Sequence, residues 1–402
     1  MGCRQAPHVA ALGGGKLRQT QAPQETREPS PTRAATRGCL SAIPWTAPTK
    51  TLPHQNLLRP KLAPMGLGGE GAFGAYAVVL YGQYQSFKNA PLTVPEPHVV
   101  YEIAAGTSLS SLSHDLQRRG IIEHPRYLML LGRELGVAHR LQAGEYEIIP
   151  GMTPVSLLRK LAGGEVIQHA VTLIEGQTFK EMLALIKASD DIVHTLDDMS
   201  AEEIMARLRH AGEHPEGRFL PDTYHFPQGT TDLAFLQRAY NAMERLLAGE
   251  WAARARSLPL STPYEALTLA SIVEKETGLA EERPVIAGVF NRRLQKGMRL
   301  QTDPTVIYGL GERFDGNLRV GDLRTDTPYN TYTREGLPPT PIAMPGGAAI
   351  HAVLHPDKGD TLFFVANGNG GHCFSRTLKE HESAVQRFQL SKPDNQLPAT
   401  AQ

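Results

Sequence analysis

The chain has 402 residues, long enough for two or three domains, with 41 basic and 41 acidic side chains and therefore no formal net charge. A zero balance argues against a dedicated nucleic-acid binder, and Cys3, Cys39 and Cys373 are too few and too scattered for a disulfide framework or a C-x-x-C metal site. Apolar residues make up 41%, while glycine (38) and proline (30) are high, a mixture that suits a folded core plus a loop-rich or disordered part.

Residues 1–64 carry nine Lys/Arg against Glu25 and Glu28 and show no sustained period of 2 or 3.6. Such a composition cannot bury enough apolar area to offset chain entropy, so this leader is expected to be disordered, with a start at Met65 as the alternative. An apolar run, Ala72–Gly82, follows. By hydropathy it is a poor membrane helix, but a basic segment precedes it and Tyr76, Tyr81 and Tyr84 flank it. Residues 65–86 are therefore expected to form a single membrane anchor, against the alternative of a buried segment in a soluble fold. No cleavage site follows a proper apolar signal core.

From His98 the pattern predicts a compact α+β unit of order β-α-α-β-α over 98–165. Its strands are Val99–Ile103 and the alternating run Ala143–Ile149. Its last helix opens at Thr153 and Pro154, an N-cap followed by a first-turn proline. The larger part, 166–390, is predicted to begin with a strand at Val166–Ile174 and a helix at Phe179–Ala188. A charged helix over Asp190–Ala211 and a loop over Glu216–Gly229 come next, then helices at Thr231–Leu247, Glu265–Thr277 and Ala280–Gln295. A hairpin turning at Asn367–Gly371 and a helix at Thr377–Phe388 close it. Residues 391–402 read as a disordered tail.

Three places could carry chemistry. Leu269, Ile272, Val273 and Glu276 share one helical face, so an apolar stripe ends in a carboxylate, while Glu274 and Lys275 point elsewhere. Desolvation there would raise the Glu276 pKa, as a general acid at neutral pH requires; the alternative is a helix-end glutamate turned to solvent. Gln301, Thr302 and Asp303 are consecutive polar residues that form either part of a site or a turn capping a helix from Pro304. Tyr329, Asn330, Thr331 and Tyr332 set an amide and hydroxyls between aromatic rings, which suits a sugar-lined cleft or an ordered loop packed by two tyrosines. His351 and His355 have an i, i+4 spacing, but they lack the intervening Glu of H-E-x-x-H, and Pro356 ends the helix at once. No metal and no cofactor are expected. Gly368–Gly371 is a hairpin turn rather than a phosphate loop, because no Lys-Ser/Thr or helix N-terminus follows it.

Taken together, EGRFLPDTYHFP (216–227), LASIVEKETG (269–278), VIAGVFNRRLQKGMRLQTDPTVIYGLGER (285–313), PYNTYTREGLPPTPIAMPG (328–346) and HPDKGDTLFFVANGNGGHCFSRTLKEH (355–381) resemble the endolytic murein transglycosylases, the YceG-like family. The resemblance covers about residues 98–390. It implies a small LysM-like module at 98–165 before a mixed α/β catalytic domain at 166–390, and a single-pass location in the cell inner membrane with the catalytic domain in the periplasm. It also implies peptidoglycan glycan strands as substrate and peptidoglycan synthases as partners. It puts the catalytic role on Glu276, the second glutamate of E-K-E-T, in a lytic cleavage of the MurNAc-β-1,4-GlcNAc bond that leaves 1,6-anhydroMurNAc ends. Glu274, Gln301, Thr302, Asp303, Tyr329, Asn330 and Tyr332 fall at motif positions assigned to substrate binding, Glu274 alternatively tuning Glu276 or staying solvated. A water-using muramidase, with Asp303 or Glu274 as second carboxylate, and a non-catalytic peptidoglycan-binding scaffold are the competing readings.

Overall fold

The computed structural model describes residues 69–95 and 97–390, the side chains of 69–73 and 390 excepted. The leader read over 1–64 and the tail over 391–402 lie outside the described residues. The chain divides into two compact units, one over residues 18–90 and one whose described part begins at Pro91.

In the first unit a helix, α1, spans Gly69–Asn89. At 1.5 Å per residue its 21 residues reach about 31 Å, close to the thickness of a hydrocarbon core. Its composition does not match its length: Glu70, Gln83, Gln85, Lys88 and Asn89 interrupt the apolar run. No described helix is long and apolar enough to cross a membrane. The described part of the 65–86 segment expected to form an anchor lies in this helix, which is only partly apolar, with Tyr76, Val78, Val79 and Tyr81 exposed.

The second unit opens with β1 (Val99–Ile103), α2 (Leu109–Arg118), α3 (Pro125–Glu134), β2 (Gly144–Ile148) and α4 (Pro154–Gly163). The two strands pair antiparallel with Tyr101 opposite Tyr146. Period-2 alternation buries Tyr101, Ile103, Tyr146 and Ile148, and Leu112, Leu116, Leu128, Leu131, Leu157 and Leu161 of the helices are buried too. Thr153 caps α4 in a reciprocal box with Ser156. Helices α2 and α3 approach so closely that a Cβ on Gly132 would lie 2.4 Å from Leu109 Cδ2, which explains a glycine inside α3.

The remainder contains β3 (Gln168–Thr172), α5 (Phe179–Lys187), α6 (Ala201–Arg207), β4 (Thr223–Pro227), α7 (Asp232–Ala253), α8 (Pro263–Glu276), α9 (Arg283–Gln295), α10 (Asp303–Leu310), α11 (Val320–Arg324), α12 (Gly347–Leu354), β5 (Phe363–Ala366), β6 (His372–Ser375) and α13 (Leu378–Val385). All described strand pairs are antiparallel and two-stranded, so this is a helix-rich mixed fold with small sheets.

Two sequence expectations are corrected here. The charged helix over Asp190–Ala211 is only α6. Residues 193–196 are instead held as a loop by the N-terminus of α7: Thr195 and Leu196 donate their N–H groups to Asp232 Oδ2 at 2.9 and 3.0 Å, and Val193 bridges to Thr231. A carboxylate that satisfies those donors leaves no demand for a helix. Likewise the loop over Glu216–Gly229 contains β4, which pairs with β3 through Val171–Tyr224 and buries Tyr224 and Phe226 in the core.

Helix α8 is the centre of the larger core. Thr262 caps it and Pro263 opens it, and Leu267, Leu269, Ala270, Ile272 and Val273 are fully buried. They pack with Ile286, Ala287 and Phe290 of α9 and with Ala349, Ile350, Val353 and Leu354 of α12. A helix buried along most of its length is fixed in rotation, and this sets where its last residue points.

Candidate active site

Glu276 is the last residue of α8, and the chain leaves the helix at once into extended Thr277. The apolar face Leu269–Ile272–Val273 is clamped in the core, and Glu276 continues that face to a half-buried position. Burial is the main cause that pushes its carboxyl up to about 7. The negative end of the α8 dipole acts in the same direction. The Thr302 hydroxyl, which donates to Glu276 Oε1, pulls the pKa down; the Asp303 charge pushes it up; His372 and Arg293 pull it down again.

Thr302 is the N-cap of α10, whose first residue is Asp303, yet its hydroxyl serves Glu276 and not the helix. Its backbone N–H donates to Thr331 Oγ1 at 3.1 Å, and its carbonyl accepts from Thr305 Oγ1 at 2.8 Å. Two further buried threonines, Thr305 and Thr331, thus brace the donor from two segments. Removing the Thr302 hydroxyl deletes a bond that favours ionised Glu276. Thr302→Val is expected to raise the Glu276 titration midpoint, read by NMR of side-chain-labelled glutamate; an unchanged midpoint would count against this coupling.

Gln301 lies in the left-handed region at φ 51°, a conformation costing about 1 kcal/mol for a residue with a Cβ. Its N–H donates to Thr331 O at 3.2 Å, and its Oε1 accepts from Arg293 at 3.3 Å. Arg293 is itself buried: Nε donates to Leu362 O at 2.7 Å, and Nη1 to Leu300 O at 2.9 Å and Arg299 O at 3.1 Å. The guanidinium therefore fastens the 299–301 loop and the approach to β5 onto α9.

Asp303 is exposed and accepts from Tyr332 Oη at 2.6 Å. Burial, and then the Asp303 carboxylate, hold the Tyr332 phenol well above its ordinary range, so it remains a donor. On the β6 side, His372 places Nδ1 2.7 Å from Glu282 Oε2 and donates its N–H to Glu282 Oε1 at 2.7 Å. Burial alone would raise Glu282, but the His372 ring and N–H hold its carboxyl below the usual range.

The structure therefore brings Glu276, Thr302, Gln301, Asp303 and Tyr332 into one neighbourhood. It directs three other sequence candidates elsewhere. Glu274, two residues before Glu276, projects from another side of α8, where its carboxylate accepts the Gly346 N–H at 3.0 Å and lies 3.8 Å from Arg283. Asn330 is fully buried, with its amide donating to the carbonyls of Asp322, Leu323 and Thr325 and its oxygen accepting from Tyr332 N, so it organises the loop from within. Tyr329 bonds Thr340 at 2.8 Å and packs edge-on against Tyr308. Arg293 and His372 carried no recognised sequence signal. The first is one of three arginines on α9, and the second follows a hairpin turn; both act on Glu276 through charge, brought near by long-range packing.

A second carboxyl of raised pKa, Glu216, lies beyond Tyr329. It is 4% exposed, accepts from Phe179 N at 2.8 Å and Tyr308 Oη at 3.0 Å, and is pushed up to about 7, chiefly by burial.

Comparison with known proteins gives a consistent family. The YceG-like family model matches residues 101–387. A protein of Bacillus subtilis (strain 168) named endolytic murein transglycosylase is 33% identical over 310 residues, covering 72% of this chain and 84% of its own length. A protein of the same name from Streptococcus pneumoniae serotype 2 is 27% identical over 335 residues, and the match spans 59% of that longer relative. A crystal structure of a yceG-like protein from Listeria monocytogenes shares 32% identity over 72% of this chain and 99% of its own, with a TM-score of 0.46.

Proposed function

The chain belongs to the YceG-like family, and from that premise we propose that it is a lytic transglycosylase of peptidoglycan with Glu276 as its single acid and base. The observation that carries the mechanism is the Glu276 carboxyl, half-buried at the end of an apolar helix and pushed up to about 7, so that it holds a proton for part of the time at neutral pH.

The steps balance without water. Glu276 gives its proton to the glycosidic oxygen between MurNAc and GlcNAc as the bond from MurNAc C1 breaks, releasing a GlcNAc 4-hydroxyl. The carboxylate left behind takes the proton of the C6 hydroxyl of the same MurNAc. Oxygen 6 then bonds to C1, closes the 1,6-anhydro ring and leaves Glu276 protonated for the next cycle. The nucleophile is part of the substrate, so one carboxylate does what two do in water-using glycosidases. Thr302 holds Glu276 in place, and the Tyr332 hydroxyl, the Asp303 carboxylate and the Gln301 side chain offer donors and acceptors to sugar hydroxyls. The paired strands and three helices over 98–165 act as a LysM-like module that holds the strand. The catalytic part works in the periplasm, on nascent strands and beside the synthases that make them.

Mass spectrometry of glycan strands digested by the purified protein tests this reading. Products ending in 1,6-anhydroMurNAc are expected. Reducing MurNAc ends would point to a water-using muramidase, and undigested strands that nevertheless bind would point to a scaffold.

A further inference from the structure

The described residues contain another convergent cluster, outside the Glu276 neighbourhood. Glu250 lies near the end of α7, His351 lies in α12, and His355 is the C-cap of α12. Their ligand atoms all fall within 4.8 Å of one another. His351 Nδ1 is 2.9 Å, and His355 Nε2 3.6 Å, from the same Glu250 oxygen, Oε2. The two imidazoles stack at 4.4 Å between centroids with 30° between their planes, so two ring nitrogens address one point. Glu250 and His355 are half-buried and His351 is exposed, which leaves the point open to water.

We propose that Glu250, His351 and His355 form a binding site for a borderline divalent cation, Zn²⁺ above all, with water as the fourth ligand. Two neutral imidazoles and one carboxylate match the donor set of an open tetrahedral zinc site. Ligand bonds near 2.0–2.1 Å would set the three donors about 3.3 Å apart, against 2.9 and 3.6 Å from the two ring nitrogens to Glu250 Oε2 without an ion. The chain sequence hides the site because the histidine pair has no glutamate between its members. The carboxylate comes instead from α7, 101 residues before His351. An ion there joins the end of α7 to the end of α12, and α12 packs directly on α8.

The test is calorimetric titration of the chelator-stripped full chain with ZnCl₂ alone, alongside thermal unfolding with and without the ion. One ion per chain and a higher Tm with Zn²⁺ are expected. His355→Ala and Glu250→Gln are each expected to weaken binding at least about ten-fold and to remove the Tm response. Hard Mg²⁺ is expected to give no binding at this nitrogen-rich site. The proposal is overturned if the wild-type chain takes up no Zn²⁺, if both folded variants bind it as tightly as wild type, or if Mg²⁺ binds equally well.

Discussion

Replacing Glu276 with glutamine is expected to lower the rate of glycan-strand cleavage by about 10²- to 10⁴-fold, the range that a positioned general acid contributes. Glutamine keeps the size of the side chain and can still accept the Thr302 hydroxyl, so the half-buried site stays filled and bonded. What it lacks is a transferable proton. The loss should therefore fall on kcat, with KM little changed, because the sugar contacts proposed for Tyr332, Asp303 and Gln301 are untouched. The wild-type rate also has a direction with pH: the acid form is depleted as pH rises through about 7, so cleavage should decline on the alkaline side of that value. Muropeptide release measured across pH 5–9 for both proteins checks both statements. A variant within a few-fold of wild type would remove Glu276 from the mechanism.

Replacing Glu216 with glutamine is expected to stabilise the protein at pH 8 by up to about 3 kcal/mol and to leave it nearly unchanged near pH 4. The sign follows from the direction of the shift. Glu216 has an ordinary value of 4.5 when unfolded and is pushed up to about 7 in the fold. Between those values the folded state binds more protons than the unfolded one, so this group's contribution is fully present below about 4.5 and is lost as pH rises through about 7. Above that, the fold carries a buried carboxylate partly compensated by Tyr308 and the Phe179 N–H. Glutamine mimics the protonated form at every pH. Chemical denaturation at pH 4, 6 and 8 would show two curves that diverge upward in pH; parallel curves would contradict the assignment.

The sequence made the helix that carries Glu276 legible because one periodicity served two purposes. Leu269, Ile272 and Val273 mark the buried face of α8, and the same 3.6-residue repeat carries Glu276 into the edge of the core. Local caps were equally readable, as at Thr153 and Thr231. Strand β4 was not, because Pro221, Pro227 and Gly229 punctuate it like a loop and its partner β3 lies some fifty residues earlier. The charged stretch before α6 looked helical because its controlling partner, Asp232, is distant in sequence. Asn330 shows a further limit: an amide among tyrosines has the same composition whether it faces a sugar or three backbone carbonyls. Arg293 and His372 act on Glu276 only through folds of the chain that no local pattern records.

The Arg293 anchor and the Glu282–His372 pair also bear on how the chain assembles. Arg293 closes onto a carbonyl 69 residues away, and Glu282 meets His372 across 90 residues. Contacts of such separation carry a loop-closure cost that grows only slowly with length, about 0.6 kcal/mol per doubling, so they are tolerated but raise the contact order of the fold. The packing of α8 on α12 spans a similar stretch of sequence, so the helix and the wall beside Glu276 depend on the same long-range closures. The surroundings of Glu276 are thus assembled from segments far apart in sequence, and the β5–β6 hairpin is one of them.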